Sequence, residues 1–191
     1  MADLISGFNN SIQVEHKSDK VQAAQYLSFC LSGKLYGIGI LEVEEIIETG
    51  AITPLPLAPD YIHGVINLRG NAVPVINLTI RLGYAATDID KRSCIVLVEI
   101  SNTQGQAQTI GILVDSVREI LEIEQDSILP APQMGESVDT RFIQAMGRLD
   151  DQFIILLDIN KLLSSEQLQG LDDLAQNTAG DTAQVNSKAE S

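Results

Sequence analysis

From Tyr26 onward the chain breaks into short apolar runs separated by polar punctuation, at intervals too brief for long helices. YLSFCLS alternates as a strand, Gly33 and Lys34 supply a turn, and LYGIGI returns, so the spacing predicts a hairpin. VEEIIETG then alternates glutamate with aliphatic residues up to Gly50 and is read as a partly apolar turn. The link TPLPLAPD places proline where a central strand needs N–H donors, which forces an extended connection. YIHGVINLRGNAVPVINL follows, two apolar runs around Arg-Gly-Asn, and predicts a second hairpin with one charge at its apex. NLTIRLG suits a short helical turn, and YAATDIDKR (Tyr84–Arg92) is a polar linker. SCIVLVEIS and TIGILVD predict a further hairpin around NTQGQAQ. After LPAP and the polar QMGESVDT, the run RFIQAMGRLDDQFIILLDINKLL repeats the hairpin-then-helix pattern with a turn at Asp150 and Asp151.

The two halves match. YGIGILEVEEIIE lies over IGILVDSVREILE at an offset of 74 residues, bringing together Gly37 with Gly111, Val43 with Val117, Glu45 with Glu119 and Ile46 with Ile120. Past the proline links the offset becomes 81, pairing Ile62 with Ile143, Leu68 with Leu149, Asn77 with Asp158 and Leu82 with Leu163. A repeat of hairpin, V-x-E-I-[IL]-E, proline link, hairpin and short helix predicts two small rolled sheets. Each is too small to bury a generous core alone, so the pair is expected to share an apolar seam. The expected organisation is an N-terminal arm over residues 1–24, a folded domain over 25–171 with repeats at 26–82 and 94–163, and a tail over 172–191.

Composition sharpens this. Of 191 residues 45% are hydrophobic but only 4% aromatic, with no Trp, so the interior is built from Ile, Leu and Val, which favours sheet. The formal charge of −14 repels nucleic-acid backbones and anionic lipid and suits a soluble partner that offers basic groups. No apolar run is long enough to span a bilayer and the start has no secretory pattern, so a cytoplasmic location is expected. Cys30 and Cys94 sit inside strand-like apolar runs, as small buried hydrophobes do.

Candidate chemistry is sparse. His16 lies in the arm and His63 between Ile62 and Gly64, neither near a cluster of metal ligands, and no nucleophile elbow or phosphate-binding loop occurs. Glu42, Glu44, Glu45 and Glu48 read as a solvated acidic face. The expectation is therefore a non-enzyme with no cofactor and no metal. A small ligand-binding β-barrel, a site formed only in the fold, and a detached regulatory domain of a kinase are the alternatives.

Arg69, at the hairpin apex, has Asp150 as its counterpart, so the shared scaffold does not require an arginine there. Its planar donors suit a carboxylate or carbonyl of a partner. At this point YGIGILEVEEII, YIHGVINLRGNAVPVINL with IRLG after it, IGILVDSVREIL and GRLDDQFIILLDINKLLSSEQL together resemble the CheW family of bacterial chemotaxis coupling proteins, from Tyr26 to about Leu171. The resemblance implies a mainly β fold of two pseudo-duplicated five-stranded SH3-like barrels around a common hydrophobic core, with a few short helices. It implies an adaptor that joins the cytoplasmic tip of a methyl-accepting chemoreceptor to the regulatory domain of the histidine kinase CheA, at the inner face of the membrane. It also implies Val43, Glu45, Gly64 and Arg69 as receptor-binding residues. In these roles Val43 packs on a receptor helical hairpin, Glu45 and Arg69 fix its register, and Gly64 permits close backbone approach. Gly39 and Thr79 replace charged residues frequent in the family, so an adaptor of another array, such as one for pilus-driven motility, fits the same motifs.

Overall fold

The computed structural model describes residues 23–101, 107–131 and 140–163. The N-terminal arm, most of the NTQGQAQ and QMGESVDT loops, and the tail lie outside the described residues. The first repeat contains β1 (Ala23–Leu31), β2 (Lys34–Gly39), a 3-10 turn (Ile40–Glu42), β3 (Val43–Glu48), β4 (Ile62–Leu68), β5 (Asn71–Asn77) and helix α1 (Leu78–Arg81). The second contains β6 (Cys94–Ser101), β7 (Ala107–Val114), β8 (Ser116–Glu124), a 3-10 turn (Gln125–Ser127), β9 (Ile128–Pro130), β10 (Ile143–Leu149), β11 (Gln152–Leu157) and α2 (Ile159–Leu162). VEEIIE is thus an edge strand and not a turn: its alternation matches a sheet with one face half-buried, Val43, Glu45 and Ile47, and one exposed, Glu44, Ile46 and Glu48.

The strands form two rolled sheets. One runs β8-β1-β2-β11-β10-β9 and the other β3-β6-β7-β5-β4. Sheet membership does not follow the repeats. The hairpin β1–β2 belongs to the sheet otherwise built from the second repeat, and β6–β7 belongs to the sheet otherwise built from the first. Each guest hairpin is joined by a parallel pairing, β2 with β11 and β7 with β5. The registers correspond: Leu156 opposite Gly37 mirrors Val75 opposite Gly111 under the two sequence offsets. Gly37 and Gly111 recur because a Cβ on Gly37 would stand 3.0 Å from side-chain carbons of Ile154 and Leu156, and one on Gly111 would stand 2.8 Å from Ile95 Cγ2.

Exchange explains why β1 and β6 read as almost continuous apolar runs: both of their faces are covered. On β6, Ile95 and Leu97 enter a cluster inside the five-stranded sheet with Ile66, Val73 and Val75. Val96, Val98 and Ile100 enter the seam between the sheets, where Leu27, Phe29 and Leu31 of β1 meet them. A third cluster, with Tyr26, Ile123, Ile154 and Leu156, fills the six-stranded sheet. Filling such positions contributes roughly 1.5–3 kcal/mol per large aliphatic side chain, so the shared seam is the principal stabilising feature.

Local devices repeat as well. Bulges fall at His63 in β4 and Gln144 in β10, positions related by the second offset. Asn77 Oδ1 accepts from Ile80 N (3.2 Å) and Asp158 Oδ1 from Lys161 N (3.0 Å), each capping its short helix. Arg81 breaks the symmetry. It lies 4.8 Å from the Tyr61 ring centroid and 5.1 Å from that of Phe142, and its Nε donates to Leu162 O (3.0 Å), tying the lobes together. The linker is pinned by Tyr84, whose hydroxyl meets that of Tyr36 at 2.9 Å and accepts from Lys34 Nζ at 3.2 Å. Thr87 Oγ1 donates to Asp115 Oδ1 at 2.6 Å. Cys30 and Cys94 are unpaired and half-buried. Among the described residues no helix is long and apolar enough to cross a membrane.

Candidate functional site

The hairpin β4–β5 turns through Arg69 and Gly70, at φ of 53° and 91°. Two successive left-handed residues make the turn whose twist matches the flanking strands, and Asn67 Oδ1 secures it by accepting from Gly70 N (2.8 Å). Glycine is at home there, but arginine is not: a left-handed conformation costs an ordinary L-residue about 1–2 kcal/mol. Arg69 Nη2 donates to Glu45 Oε2 at 2.8 Å, while 75% of the Arg69 side chain and 42% of Glu45 remain exposed. Glu45 stands on β3, one edge of the five-stranded sheet, and Arg69 at the end of β4, the opposite edge. The ion pair therefore marks where the sheet curls back on itself, and Ile47 and Leu68 pack in one cluster beneath it.

Two of the four expected site residues, Glu45 and Arg69, thus come together at the surface. The other two lie below it. Gly64, next to the His63 bulge, is buried with φ of 148°, and a Cβ there would fall 2.3 Å from Thr53 O. The approach it permits is that of its own chain: Thr53 and Val65 exchange backbone hydrogen bonds of 2.9 and 2.8 Å, seating the proline link on β4. Val43 is half-buried against the shared seam. The exposed aliphatic residue of β3 is instead Ile46, at 42%, flanked by Glu44 and Glu48. Strict alternation from Val43 already assigns Ile46 to the other face.

Next to β3, the 3-10 turn presents Leu41 with 98% exposure. It borders a cavity of about 540 Å³ whose lining includes Tyr26, Ile40, Glu42, Glu122 and Gln144. Glu42 titrates above the ordinary glutamate range because burial disfavours its charge and Asp158 adds repulsion, partly offset by the Gly39 amide. Burial, and then the charge of Glu42, raises the Tyr26 hydroxyl. Glu122 accepts from Gln25 Nε2 at 2.8 Å. These groups are carboxylates, amides and a tyrosine hydroxyl, an arrangement suited to holding polar partners. Among the described residues no group of three His, Cys, Asp or Glu side chains gathers as metal ligands.

A second surface escaped the sequence reading. On the six-stranded sheet Met146 stands between Leu129 and Ile155, and Arg148 opposite Phe153, so these side chains share one face. Phe153 is 51% exposed and Leu129 37%. An aromatic, aliphatic and methionine side chain beside an arginine has the composition of interface cores. The available signal was period two along β10 and β11, which aligns Met146 with Arg148 and Phe153 with Ile155.

Comparison with known proteins agrees with this architecture. The family model described as CheW-like domain matches residues 25–167. The chain is 35% identical over 151 residues to the chemotaxis protein CheW of Klebsiella aerogenes, covering 79% of this chain and 88% of that one. It is 30% identical over 154 residues to the CheW of Treponema pallidum, covering 78% and 88%. The crystal structure of the scaffolding protein TtCheW from Thermoanaerobacter tengcongensis superposes with a TM-score of 0.65 at 36% identity, covering 74% of this chain and 92% of that one. Two SH3-like barrels around a shared core, a family model over most of the length and relatives matched nearly end to end place this chain in the CheW family.

Proposed function

We propose that this chain is a non-catalytic coupling scaffold of a bacterial chemosensory array. In this reading it holds the cytoplasmic tip of a methyl-accepting chemoreceptor on one surface and the regulatory domain of the histidine kinase CheA on another. Membership of the CheW family supports the scaffold role. The receptor surface is the curl of the five-stranded sheet, with Glu45 and Arg69 as polar contacts, Ile46 as apolar neighbour, and Val43 and Gly64 supporting from beneath. The face around Phe153, Arg148 and Leu129 is the kinase surface. It acts at the cytoplasmic side of the membrane through the receptors it binds.

One observation carries the receptor assignment. Arg69 occupies a backbone conformation that arginine disfavours, keeps most of its side chain in solvent, and has no arginine at the equivalent place in the other repeat. Strain of this kind clusters at binding and catalytic sites, and here the Glu45 pair and the missing counterpart add to it. In titration calorimetry with a soluble receptor-tip fragment, Arg69→Glu is expected to weaken binding at least tenfold, about 1.4 kcal/mol. Unchanged affinity removes Arg69 from the site.

A further inference from the structure

The exchange of hairpins bears on what counts as one folding unit. Neither lobe is a continuous piece of chain: the first repeat lends β1–β2 to the six-stranded sheet and the second lends β6–β7 to the five-stranded one. Both loans are made through the same parallel register, Leu156 on Gly37 and Val75 on Gly111. The seam between the sheets takes Leu27, Phe29 and Ile76 from the first repeat and Val96, Ile112 and Leu157 from the second. A repeat standing alone would expose this entire face, and each sheet would lose its guest strands and present open edges. The covalent join between the repeats, from Gly83 to Ser93, contributes no strand and touches the body through Tyr84, Thr87 and the buried Ser93, whose carbonyl accepts from Thr49 Oγ1 at 2.8 Å.

We propose that the folding unit is the pair of repeats, and that a second copy of this chain can supply either member. Two chains then exchange halves, the first repeat of each closing on the second repeat of the other, with residues 83–93 as the hinge. Each assembled pair has the same contacts as the single chain, because all differences are confined to the join. What favours the closed monomer is the high effective concentration of one repeat beside the other, on the order of millimolar for a short flexible connection. Exchange therefore belongs to crowded conditions and to chains whose join is cut or strained.

Two experiments on the full chain test this. In the first, a protease site is placed at Ala85–Ala86, both exposed, and the folded protein is cut there. The pieces are expected to remain one particle of unchanged mass by light scattering. The melting midpoint of the cut protein should fall on tenfold dilution, while that of the uncut chain stays fixed. Separation into two independently folded lobes overturns the proposal. In the second, two wild-type chains with different affinity tags are mixed, unfolded in denaturant and refolded together near millimolar concentration. Co-purification is expected after joint refolding and not after simple mixing. No co-purification after refolding, or equal co-purification without unfolding, overturns exchange between copies.

Discussion

The turns at Arg69–Gly70 and Asp150–Asp151 occupy equivalent places in the two repeats and are built on the same plan. Each follows a strand bulged at the same position, each opens with a left-handed residue, and each leads through a strand to a helix capped by Asn77 or Asp158. Asp150, at φ of 38°, is among the residues that tolerate this backbone, whereas Arg69, at 53°, is not. Glu119, the counterpart of Glu45, is matched with Asp150 where Glu45 has Arg69, so the equivalent pair of residues is two carboxylates and cannot form the ion pair. The backbone thus belongs to the fold, and the ion pair belongs to one lobe only. Duplication leaves one copy free to depart from what folding alone prefers, and the departures locate the candidate site.

The harshest way to test that separation is to give one lobe the residue its twin already has. Gly64 corresponds to Ala145, which is buried at 7% exposure without a left-handed backbone. Gly64→Ala would combine a φ of 148° with a Cβ 2.3 Å from Thr53 O, a backbone atom that cannot rotate aside. A loss of at least about 3 kcal/mol is expected in urea unfolding, together with loss of receptor binding. A stable variant would show that the link around Thr53 moves independently of β4.

Val43 and Val117 are matched and both half-buried against the seam. Placing a carboxylate in either position costs desolvation, so Val43→Asp and Val117→Asp are each expected to lose about 2–4 kcal/mol in the same urea experiment. Receptor affinity, measured at a temperature where both remain folded, should fall for Val43→Asp and stay near wild type for Val117→Asp. Equal losses of affinity would place the receptor surface across both lobes.

The part of this comparison that was legible in the sequence is the part encoded locally. Alternation marks the hairpins, and the two offsets align elements that prove to share bulges and caps, whereas the second proline link, which reads only as a connection, carries the short edge strand β9 at Ile128–Pro130. Strand partnership was not legible. YLSFCLS and CIVLVEIS are apolar on both faces, and such runs record that they are covered without recording by which repeat. The depth of Gly64 and Val43 was not legible either, because a motif reports which residues matter and not how far they lie below the surface. VEEIIE reads as a turn because the adjacent Glu44-Glu45 and Ile46-Ile47 put a glutamate and an aliphatic residue on each face, so polarity does not separate the two faces. Phe153 and Arg148, on facing strands, became neighbours only through the register of β10 with β11.

Arg69→Asn sharpens the comparison from the other side. Asparagine accepts the left-handed conformation, so the substitution relieves strain while removing an exposed ion pair worth about 0–1 kcal/mol. Thermal stability is expected to hold or rise by no more than about 1 kcal/mol, while affinity for a receptor-tip fragment drops at least tenfold. Asp150→Arg, the reciprocal change, should lower stability slightly and leave receptor affinity unaltered. A clear loss of stability in Arg69→Asn would mean that the ion pair serves the curl of the sheet and that the arginine is a structural residue after all.

The smallest expected effect concerns Glu42, whose counterpart in the second repeat is the neutral Ser116. Burial first, and then the charge of Asp158, raise the Glu42 carboxyl above its ordinary value, so the folded protein binds this proton more tightly than the unfolded chain. The stabilisation from the protonated form is complete below the ordinary glutamate range and fades as pH climbs through the raised folded value. At neutral pH the ionised carboxylate is therefore a net burden on the lobe that carries it. Glu42→Gln, neutral throughout, is expected to unfold at higher urea than wild type at pH 7. The difference should shrink as pH falls into the range where Glu42 takes up its proton, and vanish below it. The Tyr26 hydroxyl, raised in part by Glu42, should titrate nearer its usual range in the variant, as an alkaline absorbance scan would register. A gap between the two proteins that ignores pH would place the origin of the effect in packing and not in charge.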